Sequence, residues 1–388
     1  MSRVRIAGSG MTPFGNAADR TGRDLFAEAG LAALEDAGVA PEDVDELFYG
    51  NFVGTFSERQ GHQGPLMAEA IGATAPSRRV ESACASSGLA VRDAVRAVRS
   101  GQADVVVAGG MERMTNMGTA GATEGLAVAA DDLYEVRAGV TFPGAYALMA
   151  RAYFEQYGGD REDLAHIAVK NHDNALVNDH AHIQRAITVE EALEGPRIAD
   201  PLHLFDACPI SDGAAAVVLT SEAFTEDHGL EAPTAITGSG HGADTMALQD
   251  RDSLATTPGT REAATEAYAD ADIAPGDVDL AEVHDCFTIA EVLALEGLGF
   301  YEPGEAIGAA RRGETTRDGT LPVNLSGGLK AKGHPVGATG AAQIIAISTL
   351  LDGTHPRADA VEGATVGLAH NAGGTVASAT VHVLEVVA

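Results

Sequence analysis

The sequence predicts an α/β fold, and two observations support this prediction. Short apolar runs typical of buried strands, such as residues 104–110 and 215–219, alternate with alanine-rich segments long enough for helices, such as residues 88–98 and 340–351. Glycine is abundant, at 46 of 388 residues, and it clusters where the apolar runs end and the helical patterns begin. Alternating strands and helices of this kind indicate sheets that are covered by helices.

A short internal repeat predicts that the fold has two related halves. The hexapeptide APEDVD at residues 40–45 recurs as APGDVD at residues 274–279. Each copy follows an alanine-rich helical stretch and precedes a predicted strand. Each half later contains an apolar strand that enters a glycine pair, at residues 109–110 and 373–374. The shared order of elements, as much as the hexapeptide itself, indicates two similar α/β halves.

The segment between the two halves has a different composition. Residues 112–205 begin with glycine- and methionine-rich sequence and continue into a polar, helix-like segment. We therefore predict an inserted loop domain at residues 112–205. The N-terminal half then comprises residues 1–111 together with 206–232, and the C-terminal half comprises residues 233–388.

The charge balance excludes some classes of partner. The chain has 25 basic and 56 acidic residues, a net charge of −31, with 45% hydrophobic residues, which indicates a folded protein. Such a negative field repels nucleic acids and anionic membranes, so neither is an expected partner. Only three of the basic residues are lysines. This bias is expected in concentrated salt, where a Debye length of about 3 Å at about 1 M screens self-repulsion. An acidic protein from a low-salt organism is the alternative.

The cysteines and the apolar segments indicate a cytoplasmic protein. Three cysteines, at positions 84, 208 and 286, are too few and too scattered for a disulfide framework. The first residues lack the apolar core of a signal peptide. No apolar run approaches the roughly 18 residues that a membrane-spanning helix needs.

Cys84 is the first candidate for chemistry. It lies among small residues directly before a predicted alanine-rich helix. Free N–H groups and the positive end of the helix dipole at such a position lower the pKa of a thiol from about 8.5, which favours a nucleophile. The alternative is a small buried residue in a tight helix–sheet contact. This segment alone does not decide between the two.

A second candidate group follows the repeated strand of the C-terminal half. Residues 283–287, VHDCF, lie at the end of this strand, where α/β sheets commonly place functional groups. His284 and Cys286 are therefore candidates for one site. Metal binding is the alternative, but no further cysteine lies nearby to complete a structural zinc site, and we expect no metal.

Two glycine-rich segments complete the set of motifs. Residues 325–340 carry Lys330, Lys332 and His334 in a loop suited to close backbone approach and to anion contact. The loop lacks the residue order of a nucleoside-triphosphate loop, and ordinary surface charge is the alternative role of the lysines. Residues 369–374, AHNAGG, offer main-chain N–H groups for an oxyanion site, or form only a compact turn.

Together, these motifs resemble the thiolase family in their order and over essentially the whole chain. The motifs that carry the resemblance are CAS at 84–86, HDCF at 284–287, GHP at 333–335 and NAG at 371–373. The chain is more similar to the sterol-carrier-protein-type and archaeal thiolases, because the bacterial Asn-Glu-Ala-Phe motif is HDCF here. The usual C-terminal Cys-x-Gly has become NAG, so the second catalytic cysteine is absent from its usual place.

The resemblance implies a fold and an activity. The fold is a five-layer αβαβα core of two similar mixed-sheet halves, with an inserted loop domain that helps to bind coenzyme A. The activity is Claisen condensation of two acyl-CoA molecules, such as acetyl-CoA to acetoacetyl-CoA, or thiolytic cleavage of 3-ketoacyl-CoA. Coenzyme A thioesters are the substrates, and no permanently bound cofactor is implied. A decarboxylating ketoacyl synthase and a non-catalytic scaffold subunit are the alternatives, and the intact motifs disfavour both.

The resemblance also implies residue roles. Cys84 attacks the thioester to form an acyl-enzyme, and His334 assists its deprotonation. His284 and His334 hold the enolate oxygen, whereas the N–H groups of Cys84 and Gly373 hold the tetrahedral oxyanion. Cys286 is the candidate base that removes the α-proton of the second acyl-CoA. The competing assignment is a site of Cys84, His284 and His334 in which Cys286 only packs.

Further expectations concern binding residues and partners. The predicted coenzyme A contacts are Ser239, Gly240, Lys330 and Lys332. Cys208 is expected to be structural. The resemblance implies a homo-oligomer, a dimer or a tetramer, that works beside a small zinc-ribbon/OB-fold protein and a hydroxymethylglutaryl-CoA synthase. Residues 112–205 are the expected docking surface for the small partner, because no catalytic motif falls inside them.

Overall fold

The secondary structure alternates between strands and helices, as predicted. The structure is a computed structural model that describes residues 3–387. The strands are β1 (Val4–Met11), β2 (Glu46–Gly50), β3 (Ser77–Val80), β4 (Val105–Glu112), β5 (Arg197–Ala199), β6 (Leu202–His203), β7 (Gly213–Ser221), β8 (Thr234–Ala243), β9 (Leu280–Glu282), β10 (Val366–Gly373) and β11 (Ser378–Val386). The α-helices are α1 (Gly22–Ala37), α2 (Gly54–Ser57), α3 (Gln63–Ala70), α4 (Ser86–Arg99), α5 (Gly118–Ala127), α6 (Phe142–Tyr157), α7 (Arg161–Ala175), α8 (Val189–Glu194), α9 (Glu222–His228), α10 (Pro258–Ala271), α11 (Thr288–Gly297), α12 (Ala306–Arg311) and α13 (Thr339–Leu351). Between residues 3 and 387, none of the helices is long and apolar enough to cross a membrane.

The main sheet shows the internal symmetry that the repeat predicts. Its strand order is β3-β2-β4-β7-β1-β8-β11-β10-β9. In the N-terminal half, β7 is antiparallel to β1 and β4, and β2 is parallel to β4. In the C-terminal half, β11 is antiparallel to β8 and β10, and β9 is parallel to β10. The same pattern therefore runs outward from β1 and from β8, and the two related halves are confirmed.

The repeated hexapeptide has the same role in each half. Each copy forms a short 3₁₀ turn, Pro41–Asp43 or Pro275–Asp277, that leads directly into β2 or β9. The halves differ at their outer edges. The counterpart of β3 in the C-terminal half is reduced to one parallel bridge between Ala281 and Val323.

The two halves form five layers of helices and strands, which pack through three buried clusters. Helices α1 and α3 cover the outer face of the N-terminal strands. Helices α4 and α13 pack against each other between the two halves, where Val95 and Ile347 lie in one cluster with Val106 and Leu384. Helices α10 and α11 cover the outer face of the C-terminal strands. The five-layer αβαβα arrangement is confirmed.

The chain between β4 and β7 holds α5 to α8 and the small β5–β6 hairpin. Although this segment interrupts the N-terminal half, two of its helices, α6 and α7, pack on the C-terminal half. Helix α6 contacts α11, and α7 contacts α11, α12 and the turn Gly328–Lys332. The predicted domain boundaries stay a prediction, and their limits at residues 1 and 388 lie outside the described residues.

Glycines on β8 explain how closely α10 approaches the sheet. A Cβ atom on Gly240 would lie 1.8 Å from the carbonyl oxygen of Ala263, and one on Gly242 would lie 2.1 Å from that of Gly259. Gly238 makes a similar approach to the Ala267 carbonyl oxygen, at 2.2 Å. Because these neighbours are backbone atoms, no rotamer change makes room for a side chain.

We therefore expect Gly240→Ala to destabilise the fold by about 3 kcal/mol, at the upper end of overpacking costs. Urea unfolding at constant high salt measures the change in the free energy of unfolding. Gly276→Ala is the matched control, because a Cβ atom there meets no atom within 4 Å. Equal stability of the two variants would show that α10 shifts without cost.

Candidate active site

Cys84 lies in a sharp turn between β3 and α4. Ala83, directly before it, has φ 47°, a left-handed conformation that is strained for a residue with a side chain. The turn is held by Ser86, whose hydroxyl donates to the Ala83 carbonyl at 2.6 Å and accepts from the Ser82 N–H at 3.0 Å. The Cys84 side chain is buried and lines a partly open cavity. The local geometry resembles the strand–turn–helix placement of known nucleophiles.

Two histidines of the C-terminal half meet Cys84. The Cys84 sulfur and one ring nitrogen from each of His284 and His334 lie within 4.8 Å of one another. The two imidazole rings pack edge to face, with 5.0 Å between their centroids. His284 follows β9, and His334 lies between the turn Gly328–Lys332 and α13. The structure thus brings together three predicted site residues from distant segments of the chain.

His334 has its lone pair on Nε2. The Thr339 hydroxyl donates its proton to the Pro335 carbonyl at 2.9 Å, so its contact of 2.7 Å with His334 Nδ1 requires that Nδ1 be the donor. His334 Nε2 is then unprotonated, and it is buried without a hydrogen-bond partner among the described residues. Burial lowers the pKa of His334 to about 3. A neutral ring with a free lone pair is able to accept a proton.

His284 has the opposite arrangement. The Asn371 amide N–H donates to His284 Nδ1 at 3.1 Å, which places the ring hydrogen on Nε2. This Nε2 is also buried and has no hydrogen-bond partner in the described part of the chain. Burial, followed by the nearby rings of His334 and His370, holds the pKa of His284 well below its ordinary value. A neutral imidazole N–H in this position is able to stabilise a developing oxyanion.

Burial also governs the ionisation of the Cys84 thiol. Desolvation raises the pKa of Cys84 to about 12, although hydrogen bonding to the Gly374 N–H lowers it. This direction is the opposite of the one expected from the helix N-terminus, because loss of solvent outweighs the helix dipole here. The resting site therefore holds a thiol and neutral imidazoles. A thiolate forms when the thiol proton moves to a neighbouring base.

Cys286 lines the same cavity, whose volume is about 210 Å³. Its mostly apolar lining includes Phe52, Met114, Leu126, Phe142, Ile210, Phe287 and Val336. Burial raises the pKa of Cys286 well above its ordinary value, while a hydrogen bond with Tyr146 lowers it. Tyr146, on α6, also donates to the Gly374 carbonyl at 3.0 Å and stacks on Phe287. Cys208 lines the cavity as well, so all three cysteines of the chain face one space.

The turn after β10 supplies a main-chain N–H to Cys84. Gly373 allows the close approach, since a Cβ atom there would lie 2.4 Å from the Ser82 carbonyl oxygen. Gly374 adopts φ 61°, lines the cavity and directs its N–H toward the Cys84 sulfur. The predicted motif thus reaches the site, and the assignment of the Gly373 N–H to the tetrahedral oxyanion stays a prediction.

The four predicted coenzyme A contacts do not line this cavity. Lys332 is buried, with its Nζ 3.6 Å from Glu282 Oε2. Lys330 is also buried, with its Nζ 3.4 Å from His172 Nε2 and close to the Phe205 ring. Both lysines are therefore interior residues rather than surface charges. Ser239 and Gly240 lie inside β8 against α4 and α10.

Two buried carboxylates hold the loops of the site: Asp285, which lies within the HDCF motif, and Glu112, which no motif includes. Asp285 accepts the N–H groups of Leu329 and Lys330 at 2.6 and 3.3 Å, which ties the HDCF segment to the loop before His334. Glu112 accepts the N–H groups of Phe52 and Val53 at 2.8 and 3.1 Å. Burial raises the pKa of Asp285 to about 7 and that of Glu112 to about 8.

Known proteins resemble this chain over almost its whole length. Residues 4–223 match the family model of the thiolase N-terminal domain, and residues 240–386 match the thiolase C-terminal domain-like family. The acetyl-CoA acetyltransferase of Methanothermobacter thermautotrophicus is 44% identical over 99% of this chain and 100% of its own length. That of Methanocaldococcus jannaschii is 40% identical over 99% of each chain. The solved structure of an Ltp2-ChsH2(DUF35) aldolase superposes with a TM-score of 0.83 at 29% identity, over 99% of this chain and 98% of that chain.

The protonation states predict how the reactivity of Cys84 depends on pH. Because its pKa lies near 12 and His334 is neutral, the thiolate fraction should rise about tenfold per pH unit from about pH 6 to about pH 10. The rate of iodoacetamide alkylation, followed by mass spectrometry of the Cys84 peptide, should rise in parallel. A free thiol with a pKa of about 8.5 is the reference and levels off above it. A pH-independent rate near neutrality would instead show a thiolate–imidazolium pair.

Proposed function

Because the chain belongs to the thiolase family, we propose that it is an acyltransferase that converts two molecules of acetyl-CoA to acetoacetyl-CoA and coenzyme A, or catalyses the reverse thiolysis. One observation carries the proposal: the Cys84 sulfur lies within 4.8 Å of ring nitrogens of His284 and His334, beside an apolar cavity. The archaeal relatives named acetyl-CoA acetyltransferase support the choice of acetyl groups. The archaeal and sterol-carrier-protein-type subgroup is part of this proposal.

The first half-reaction loads the acyl group onto Cys84. The thiol proton moves to His334 Nε2, which has a free lone pair, and the sulfur attacks the thioester carbon. The oxyanion of the tetrahedral intermediate accepts hydrogen bonds from the N–H groups of Cys84 and Gly373. When the C–S bond of the substrate breaks, the proton on His334 passes to the leaving coenzyme A thiolate. The products are acyl-Cys84 and coenzyme A.

The second half-reaction forms the carbon–carbon bond. A second acetyl-CoA loses an α-proton, and its enolate oxygen accepts the His284 Nε2–H. The enolate carbon attacks acyl-Cys84, the C–S bond to Cys84 breaks, and the Cys84 thiolate receives the proton that the base took from acetyl-CoA. We propose that Cys286 is the base. Its thiolate removes the α-proton in condensation, and its thiol returns the proton in cleavage. Burial favours the thiol form of Cys286, which suits the cleavage direction. In the competing assignment, Cys84, His284 and His334 form the site and Cys286 only packs.

The two half-reactions can be separated with two variants. Cys84→Ala should lose acyl transfer and the acyl adduct, because no other residue forms the thioester. Cys286→Ser should still form acyl-Cys84 but lose at least about 100-fold in exchange of the acetyl-CoA α-protons with solvent, the usual size of a general-base contribution. Mass spectrometry of the trapped protein and NMR of the exchange measure the two effects.

Other outcomes point to other mechanisms. Turnover by Cys84→Ala, or an acyl adduct on another residue, contradicts the proposed function. Normal proton exchange in Cys286→Ser shows that Cys286 is not the base and favours the site of Cys84, His284 and His334, in which Cys286 only packs. Cys208→Ser is the matched control for exchange, because Cys208 faces the same cavity and has no proposed part in proton transfer.

The partners of the enzyme are a further part of the proposal. We propose a homo-oligomer that works beside a small zinc-ribbon/OB-fold protein and passes acetoacetyl-CoA to a hydroxymethylglutaryl-CoA synthase. The name Ltp2-ChsH2(DUF35) of the similar structure supports a small partner. Exposed apolar side chains within residues 112–205, including Leu133 and Tyr134, support that segment as its docking surface. Co-purification from the native host tests this association, and recovery of the chain alone contradicts it.

We also propose a cytoplasmic protein from a salt-loving organism. All three lysines, Lys170, Lys330 and Lys332, are buried, so the exposed basic side chains of residues 3–387 are arginines on a strongly acidic surface. Repulsion among surface carboxylates needs screening by concentrated ions.

We therefore expect the melting temperature to fall steeply as potassium chloride is lowered well below about 1 M, because the Debye length then lengthens and repulsion grows. Thermal melts across a salt series, at constant pH, measure this. An osmolyte such as sucrose is the control, since it stabilises folded proteins without screening charge. A melting temperature that is insensitive to salt contradicts the halophilic origin and leaves the acyltransferase proposal intact.

A further inference from the structure

The three reactive side chains also have the composition of a metal site. A thiol sulfur and two imidazole nitrogens, from Cys84, His284 and His334, converge within 4.8 Å. Both histidine Nε2 atoms are buried and lack a hydrogen-bond partner among residues 3–387. Each ring is anchored by its other nitrogen, to Asn371 in one case and to Thr339 in the other. Two fixed, unpartnered nitrogens beside a sulfur are what a soft divalent cation needs.

The geometry suits a tetrahedral ion with one open position. Zinc binds sulfur at about 2.3 Å and nitrogen at about 2.0 to 2.1 Å, which places tetrahedral ligand atoms about 3.3 to 3.6 Å apart. If the ligand atoms are 4.8 Å apart, they must approach one another by about 1.2 to 1.5 Å to reach this spacing. Because Cys84 and His334 line the cavity, a fourth position is available for water. The ligands come from positions 84, 284 and 334, so no metal-binding spacing is visible in the sequence.

Asn371 is able to hydrogen-bond to either tautomer of His284. With its N–H on Nδ1, it keeps the ring hydrogen on Nε2, as described above. The Asn371 carbonyl oxygen is buried and has no hydrogen-bond partner in the described residues. Rotation of the amide by 180° places this oxygen on an Nδ1–H and leaves Nε2 free as a ligand. Metal-bound histidines commonly have such an oxygen acceptor on their second nitrogen.

We propose that Cys84, His284 and His334 form an inhibitory site for one Zn²⁺ ion per chain. Binding forms one Zn–S and two Zn–N bonds, releases the Cys84 thiol proton to solvent, and involves no change of oxidation state. The bound ion occupies both the nucleophile and the free nitrogen of His334. It is therefore incompatible with acyl transfer, and removal of the ion by a chelator restores the free site.

Metal binding itself provides the main test. Chelator-treated protein is titrated with Zn²⁺ by equilibrium dialysis in about 1 M potassium chloride, which screens weak binding to surface carboxylates. We expect one tightly bound ion per chain. Replacement by Co²⁺ should give the visible absorption of a tetrahedral ion and a near-ultraviolet thiolate-to-cobalt band. Carboxymethylation of Cys84 in the unmutated chain should abolish the bound ion and the thiolate band.

Variants then identify the ligands. Cys84→Ser, His284→Ala and His334→Ala should each weaken Zn²⁺ binding by at least about 100-fold, beyond the 10- to 100-fold cost of losing a supporting residue. Cys208→Ser is the matched cysteine control, since Cys208 faces the cavity outside the cluster, and exposed His228→Ala is the histidine control. Both controls should bind normally. Thermal melts confirm that each variant is folded.

Two results overturn the site. One is unchanged Zn²⁺ affinity after carboxymethylation of Cys84, and the other is a Co²⁺ form without a thiolate band. Neither readout depends on turnover. If the protein binds one Zn²⁺ through Cys84 but forms no acyl-enzyme, the metal site stands and the proposed function fails. If it forms the acyl-enzyme but binds no Zn²⁺, only the metal site fails.

Discussion

The site depends on the close contact between helices α4 and α13. A Cβ atom on Gly340 would lie 2.3 Å from the Gly88 nitrogen, so the two helices meet backbone to backbone near their N-termini. The Ser87 hydroxyl accepts the Ala341 N–H at 3.1 Å and ties the same turns together. Cys84 lies just before α4, and His334 lies just before α13. The distance between sulfur and imidazole is therefore set by two glycines that belong to different halves of the molecule.

This contact also explains the electrostatics of the site. Bringing two helix starts together in the centre of five layers removes the reactive groups from water, and desolvation then opposes every charged form. The pKa of Cys84 rises, and those of His284 and His334 fall. Neutral groups are cheaper to bury than an ion pair, and hydrogen bonds to Thr339 and Asn371 select which nitrogen holds the proton. Charged forms are then needed only during the reaction, next to N–H groups that stabilise them.

The sequence predicts this architecture well where a feature is local, and less well where it depends on distant contacts. The repeated hexapeptide identifies β2 and β9, and four short motifs identify the segments that meet at the cavity. The direction of the Cys84 pKa could not be predicted, because the helix start is visible in the sequence while the layers that bury it are not. The sequence places Lys332 in a loop suited to anion contact, and only the fold shows that it lies beside Glu282. Tyr146 lies in a segment without a motif, and it reaches Cys286 only because α6 folds onto α11.

The three lysines lie in the interior of the protein, whereas the exposed basic side chains of residues 3–387 are arginines. Lys170 makes a buried ion pair with Glu291 at 2.5 Å, in a cluster where Asn171 donates to both Glu291 and Asp285. A buried cation of this kind remains in place because its removal would leave carboxylates without a partner. The lysines thus lie where their loss would disturb the loops of the site, while the surface carries acidic residues and arginine. Because salt screens exposed charges far more than buried ones, the interior network is much less sensitive to ionic strength than the charged surface is.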